Sequence, residues 1–193
     1  MEQHPKLKVR LGVGIGQWPF GPPDAGPFWR FVERAEELGI DSIWISDRVG
    51  SDRLSLDPIT AFAAIAGRTR TIKFGPSVLA LPLRHPVVLA KEIATIDFLS
   101  GGRMLPAVGI GTELPEELLA CGVKREERAG RTDEAIQLIR RLWLEEKVTH
   151  KGRYFQVENA TVLPRPVRKP PPVWKGGRTE AAFRRTGALG DGW

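Results

Sequence analysis

Short apolar runs alternate with helical runs along the whole chain, and glycine or proline marks nearly every junction. That alternation constrains the fold more than any single motif does. Residues 8–15 (KVRLGVGI) read as a strand ending in glycines. In 27–39 (PFWRFVERAEELG), Phe28, Phe31, Val32, Ala35 and Leu38 share one helical face, and Gly39 is the natural stop. DSIWISD (41–47) is a short buried strand. Asp57 before Pro58 has the composition of an N-cap and a first helical residue, and Ile59, Phe62, Ala63 and Ala66 continue that helix to Gly67.

The pattern then repeats. TIKFGPSVLAL (71–81) reads as a strand, 85–102 as a helix ending at Gly101 and Gly102, and RMLPAVGIG (103–111) as a strand with Pro106 inside it. Ala135, Ile136, Ile139, Leu142 and Trp143 mark a helix over 131–143. VTHKGRYFQV (148–157) predicts a hairpin turning at Lys151 and Gly152. LPRPVRKPPP (163–172) is a stiff connector. PVWK (172–175) is a fifth core strand, TEAAFRRTGAL (179–189) its helix, and GDGW (190–193) the start of a sixth strand.

Strand–helix alternation with short returns predicts an α/β fold with a parallel sheet. Two closures fit: an open doubly wound sheet, or a (β/α)8 TIM barrel. A full barrel takes about 250 residues. The 193 residues supply about five βα units and the start of a sixth strand, so the barrel reading expects one incomplete domain over 1–193, its C-terminal part missing.

Composition narrows the function. One cysteine, Cys121, excludes an intrachain disulfide and a multi-cysteine metal site, and suits a reducing, cytoplasmic setting. No apolar run nears the roughly 20 residues of a membrane span. The formal charge is +6, and residues 150–193, with nine basic and three acidic side chains, carry all of it. A basic segment suits nucleic acid, a phosphorylated small ligand, or plain solvation. Its charges are interrupted by a buried-looking strand, so nucleic acid is not expected. His4, His85 and His150 have no metal-ligand spacing, and no metal is expected. GVGIGQ (12–17) and GIGTEL (109–114) fail G-x-G-x-x-G at Gln17 and Leu114; P-loop and G-x-S-x-G motifs are absent.

Three places retain chemical interest. Gly176, Gly177, Arg178 and Thr179 stand where a strand hands over to a helix. Backbone amides at a helix start carry partial positive charge, glycine lets an anion approach, and arginine adds a permanent charge. The ordinary alternative is a βα turn with Thr179 as N-cap. Asp47 and Arg48 close the second strand, where Asp47 would orient or pair with Arg48. Gly109 and Gly111 close the RMLPAVGIG strand. In a barrel all three lie on the C-terminal face, where the active sites of that fold are found.

ELGIDSIWISDR (37–48), SVLALPLRHPVVLAKEIATIDFLSGGR (77–103), GIGTELPEELLACGV (109–123), KGRYF (151–155), LPRPV (163–167), PPVWKGGRTEAAFRR (171–185) and LGDGW (189–193) together resemble the bacterial luciferase-like monooxygenase superfamily, and occur in its order. The resemblance implies a (β/α)8 barrel and a flavin-type oxidoreductase or monooxygenase acting on a small organic substrate. Its cofactor would be FMN or the deazaflavin F420, with F420 slightly preferred from the KGRYF, LPRPV and VWKGG arrangement. It implies cofactor binding by Ser77, Val78, Gly109, Gly111, Thr112, Gly176, Gly177, Arg178 and Thr179, and a cis peptide between Ser77 and Val78. Asp47 and Arg48 are the catalytic candidates, but relatives often carry Asp-His there, and Arg48 cannot shuttle protons near neutral pH. Some deazaflavin relatives carry a catalytic Glu near Thr112; here Glu113 follows it. A flavin or F420 reductase and a homo-oligomer are the partners implied. The competing expectation is a truncated, non-catalytic barrel piece or assembly partner.

Overall fold

The computed structural model describes residues 9–21, 24–50, 52, 54–112 and 114–193. The expected beginning of the first strand at Lys8, and Glu113, lie outside them. The elements run β1 (Gly12–Ile15), α1 (Ala25–Glu37), β2 (Ser42–Ile45), α2 (Pro58–Arg68), β3 (Lys73–Pro76), β4 (Leu79–Ala80), α3 (Pro86–Leu99), β5 (Ala107–Gly109), α4 (Pro115–Ala120), α5 (Arg128–Leu144), β6 (Val148–Lys151), β7 (Gln156–Ala160), β8 (Trp174–Lys175) and α6 (Glu180–Leu189).

Every strand pair of the main sheet is parallel. β1 pairs with β2 and β2 with β3; β4 pairs with β5 and β5 with β8. Single parallel bridges, Phe74 to Met104 and Trp174 to Gly192, join the two groups and add the start of a sixth strand. The result is five βα units on one curved wall, as a barrel predicts. β6 and β7 form the expected antiparallel hairpin outside it.

Helix starts follow local chemistry. Asp57 accepts from the Thr60 amide at 2.8 Å, and Thr179 from the Ala182 amide at 3.2 Å. Asp24 caps α1 the same way through Gly26, an N-cap the hydrophobic pattern alone did not mark. The apolar faces of α1 and α2 shift slightly from expectation. Leu38 is exposed, Ala63 points outward, and Ile65 takes its place beside Ile59, Phe62 and Ala66. Phe62 stacks on Phe74 of β3 at 5.4 Å, both fully buried. Trp143 of α5 is also fully buried and spends its indole N–H on the Ala90 carbonyl.

Two long strands expected from the sequence are broken. Residues 71–81 bend at Ser77 and Val78, whose peptide bond is cis, and resume as β4. In 103–111 only Ala107–Gly109 is regular strand. Pro106 has no N–H to give, but its carbonyl accepts from Trp174 at 2.8 Å. Helix α4 was not foreseen, and α5 begins at Arg128 rather than Arg131.

The N-terminal end of the sheet is sealed. Arg103 donates to the carbonyls of Ala66, Thr69, Ile72 and Ser100, covering the last turn of α2. Glu36 accepts from the amides of Arg70, Thr71 and Ile72. Partial burial works against its charge, but those hydrogen bonds prevail and hold its pKa at about 2. At the C-terminal ends of the strands the described residues leave cavities instead.

Candidate functional site

Residues leaving β2, β3, β5 and β8 converge. A cavity of about 250 Å³ is lined by Ser46, Asp47 and Arg48 after β2, Ser77 and Val78 after β3, and 109–112 after β5; Glu117, Gly176 and Gly177 complete it. A second, of about 430 Å³, continues from Ser77, Val78, Gly176 and Gly177 to Trp174, Arg178 and Trp193. A third, of about 400 Å³, meets the first at Ser46 and Arg48 and extends to Gly16, Gln17, Asp52 and Ser55. A larger cavity, about 710 Å³, lies elsewhere, along the outer flank of α1 beside Val13, and gathers no strand ends.

Val78 forms the floor shared by the first two cavities. It sits against two glycines: a Cβ on Gly109 would lie 2.6 Å from Val78 Cγ2, and one on Gly176 would lie 2.7 Å from Cγ1. Glycine at both places lets the valine enter. Gly177 has φ of +142°, and a Cβ there would also strike Ala182. The turn can therefore bare its backbone. The amides of Gly177, Arg178 and Thr179 donate to no described residue, and Arg178 is exposed with no hydrogen bond or ion pair among the described residues. The Thr179 hydroxyl is committed to capping α6, so only its amide remains for a ligand. Trp193 donates to the Gly177 carbonyl at 2.9 Å and fixes the outer side of the turn.

The expected Asp47–Arg48 pairing is not formed. Asp47, buried, accepts from the Ala80 amide at 2.9 Å and from Arg84 at 2.8 Å, so both its oxygens are used. Arg84 also reaches Asp57 at 2.7 Å. Burial opposes the charge of Arg84, but these two carboxylates outweigh it and raise its pKa. Arg48 turns the other way and donates to the Thr112 hydroxyl. Thr112 in turn donates to Glu117 at 3.3 Å. Glu117 is buried and also accepts from the amides of Val49 at 2.7 Å and Gly50 at 3.3 Å. One carboxylate thereby ties the loop after β2 to the loop after β5. Arg128 holds the same loop from outside through the Gly111 and Thr112 carbonyls.

Glu117, Arg84 and Ser46 were not picked out from the sequence. A buried Asp47 requires a cation, which is a signal for some arginine, but spacing did not say which. Nothing in PEELLA marked Glu117 as more than a solvated helix residue. Cys121 sits near this region, and burial with the nearby Glu117 charge raises its thiol pKa, so it is no activated nucleophile. Among the described residues no group of three or more His, Cys, Asp or Glu is placed to hold a metal, and no helix is long and apolar enough to cross a membrane.

The chain is 34% identical over 193 residues to an F420-dependent glucose-6-phosphate dehydrogenase of Kineococcus radiotolerans, a match spanning 96% of this chain and 56% of that protein. Among solved structures it resembles the monooxygenase RslO1 of Streptomyces bottropensis, with TM-score 0.80, 29% identity, and 91% of this chain against 56% of that one. It also superposes on an F420-dependent secondary alcohol dehydrogenase with TM-score 0.83 at 24% identity, covering 96% of this chain and 57% of that one, a likeness of fold. The chain thus spans little more than half the length of the relatives it matches. The family profile for luciferase-like monooxygenase matches residues 7–193, and the chain belongs to that family.

Proposed function

We propose that this chain carries the cofactor-binding face of a flavin-type oxidoreductase, with F420 as the preferred cofactor and a small organic molecule as substrate. The observation that carries the proposal is the convergence of strand ends on Val78, which two glycines admit, beside a turn with uncommitted amides. The residues fit the group. Gly177, Arg178 and Thr179 offer N–H donors and one positive charge to a phosphate, while Val78, Gly109 and Gly111 offer an apolar, sterically open floor for a planar ring. The F420 preference rests on the 34% identical relative.

A bound deazaflavin supplies two-electron hydride chemistry, and the protein supplies position and charge. Asp47 acts as a positioning residue, since both its oxygens hold the Ala80 amide and Arg84. Arg48 contributes donors and a fixed charge at the mouth, not a proton. Thr112 and Glu117 hold it there. The single cysteine supports a reducing, cytoplasmic setting.

A second reading, a monooxygenase using FMN from a separate reductase, draws on the 29% identity to the monooxygenase RslO1 for its reaction class alone. Fluorescence titration of the chain with F420 and with FMN, with melting temperature read in parallel, distinguishes them. Saturable binding of F420 with a raised melting temperature is expected; preference for FMN would select the second reading. A folded chain that binds neither would overturn the proposal and favour a non-catalytic role.

A further inference from the structure

Among the described residues Arg48 is a cation without a carboxylate partner. Its one hydrogen bond there goes to the neutral Thr112 hydroxyl, and no described carboxylate lies within ion-pairing distance of it. It lines both the cavity over Val78 and the adjoining polar cavity of about 400 Å³ with Gln17, Ser46, Asp52 and Ser55. Guanidinium has five N–H donors in a planar fork, and only one is used by Thr112. Asp47, next to it in sequence, is turned inward onto Arg84. Glu117 reaches Arg48 only through the Thr112 hydroxyl, so it fixes the guanidinium without neutralising it directly.

From this geometry we infer that Arg48 anchors an oxyanion of the substrate, and that the polar cavity takes a small hydroxylated molecule bearing one anionic group. The inference rests on the strand C-termini being the reaction face. Gln17, Ser46 and Ser55 supply neutral hydrogen-bonding groups on the same wall. Asp52 on the same lining is an acceptor for substrate hydroxyls. Gly177 borders the cavity over Val78 as well, but Arg178 lines only the neighbouring one and the polar cavity touches neither, so the two arginines face different spaces.

The test needs no cofactor, so it is readable whether or not the cofactor titration succeeds. The chain is titrated with glycolate, a hydroxylated carboxylate, and separately with inorganic phosphate, following arginine Nε–H resonances by NMR. The Arg48 resonance is identified by its loss in Arg48→Lys, or in Arg48→Gln if the lysine variant does not fold. Expected is a saturable shift of that resonance; the stronger of the two anions tells carboxylate from phosphate. Thr112→Val, which removes the hydroxyl and keeps the shape, should weaken the interaction about tenfold, the size of one charge-assisted contact's contribution. An Arg48 resonance that stays still with both anions, whether or not Arg178 responds, would overturn the inference. So would equal affinity in Thr112→Val for the positioning role of Thr112.

Discussion

Val78 is wedged between two strands, and the wedge has a calculable consequence. Alanine at Gly109 would place a methyl 2.6 Å from Val78 Cγ2, where ordinary contact begins at 3.4 Å. Val78 would have to retreat by roughly 0.8 Å to restore ordinary contact. Overpacking of this kind costs about 1–3 kcal/mol. Taking about 2 kcal/mol, a chain of this size should lose roughly 4–8 °C in melting temperature. Val78→Ala removes two methyls from a partly buried site and should cost about 1 kcal/mol. The double variant has no clash and should cost no more than Val78→Ala alone. Urea denaturation followed by tryptophan fluorescence then gives a coupling energy of about 2 kcal/mol, well beyond the roughly 0.5 kcal/mol scatter of independent sites. Additive costs would refute the claim that the glycines exist to admit Val78.

Glu117→Ala should destabilise by about 2 kcal/mol, because two loop amides and the Thr112 hydroxyl lose an ionised acceptor; urea denaturation reads it, and an unchanged midpoint would argue against the tie between loops. Lys175 points away from the mouth into the layer between sheet and helices, its side chain only 2% exposed and 3.7 Å from Asp133. Burial lowers its pKa to about 8, with Asp133 opposing. The unfolded lysine binds its proton up to its ordinary value of 10.5, so stability should rise from pH 8 to 10.5 and lack this contribution below pH 8. Lys175→Met should abolish that rise and stabilise the chain at pH 7 by about 1 kcal/mol, since Asp133 keeps Arg185 at 2.6 Å. A lower melting temperature for the methionine variant at pH 7 would contradict this.

The sequence carried the architecture because the βα units announce themselves by an apolar run followed by a helical pattern, and α1, α2 and α6 add a side-chain cap. Asp57 before Pro58 and Thr179 before Glu180 do in the structure what their chemistry predicts. Boundaries failed where tertiary contacts overrule local pattern. Residues 71–81 are continuous in hydrophobicity, yet the chain bends at Ser77 and Val78 because the flanking strands leave room for a valine. At the site, the backbone-based part was legible, since glycine at 176 and 177 states a need for close approach. The side-chain part was not. Asp47 and Arg48 are neighbours in sequence, but successive residues leaving a strand face opposite ways. Their true partners, Arg84 and Thr112, are far off in the chain and no spacing rule points to them.

The central claim is that a flavin-type cofactor lies over Val78 with its phosphate on the turn after β8. Backbone amide NMR of the chain with saturating F420 addresses it most directly. The account predicts that the largest shifts fall on Gly177, Arg178 and Thr179, with a second group at Val78 and Gly109. Shifts confined to the α1 flank around Val13 and Phe31, or none in a chain that remains folded, would contradict it.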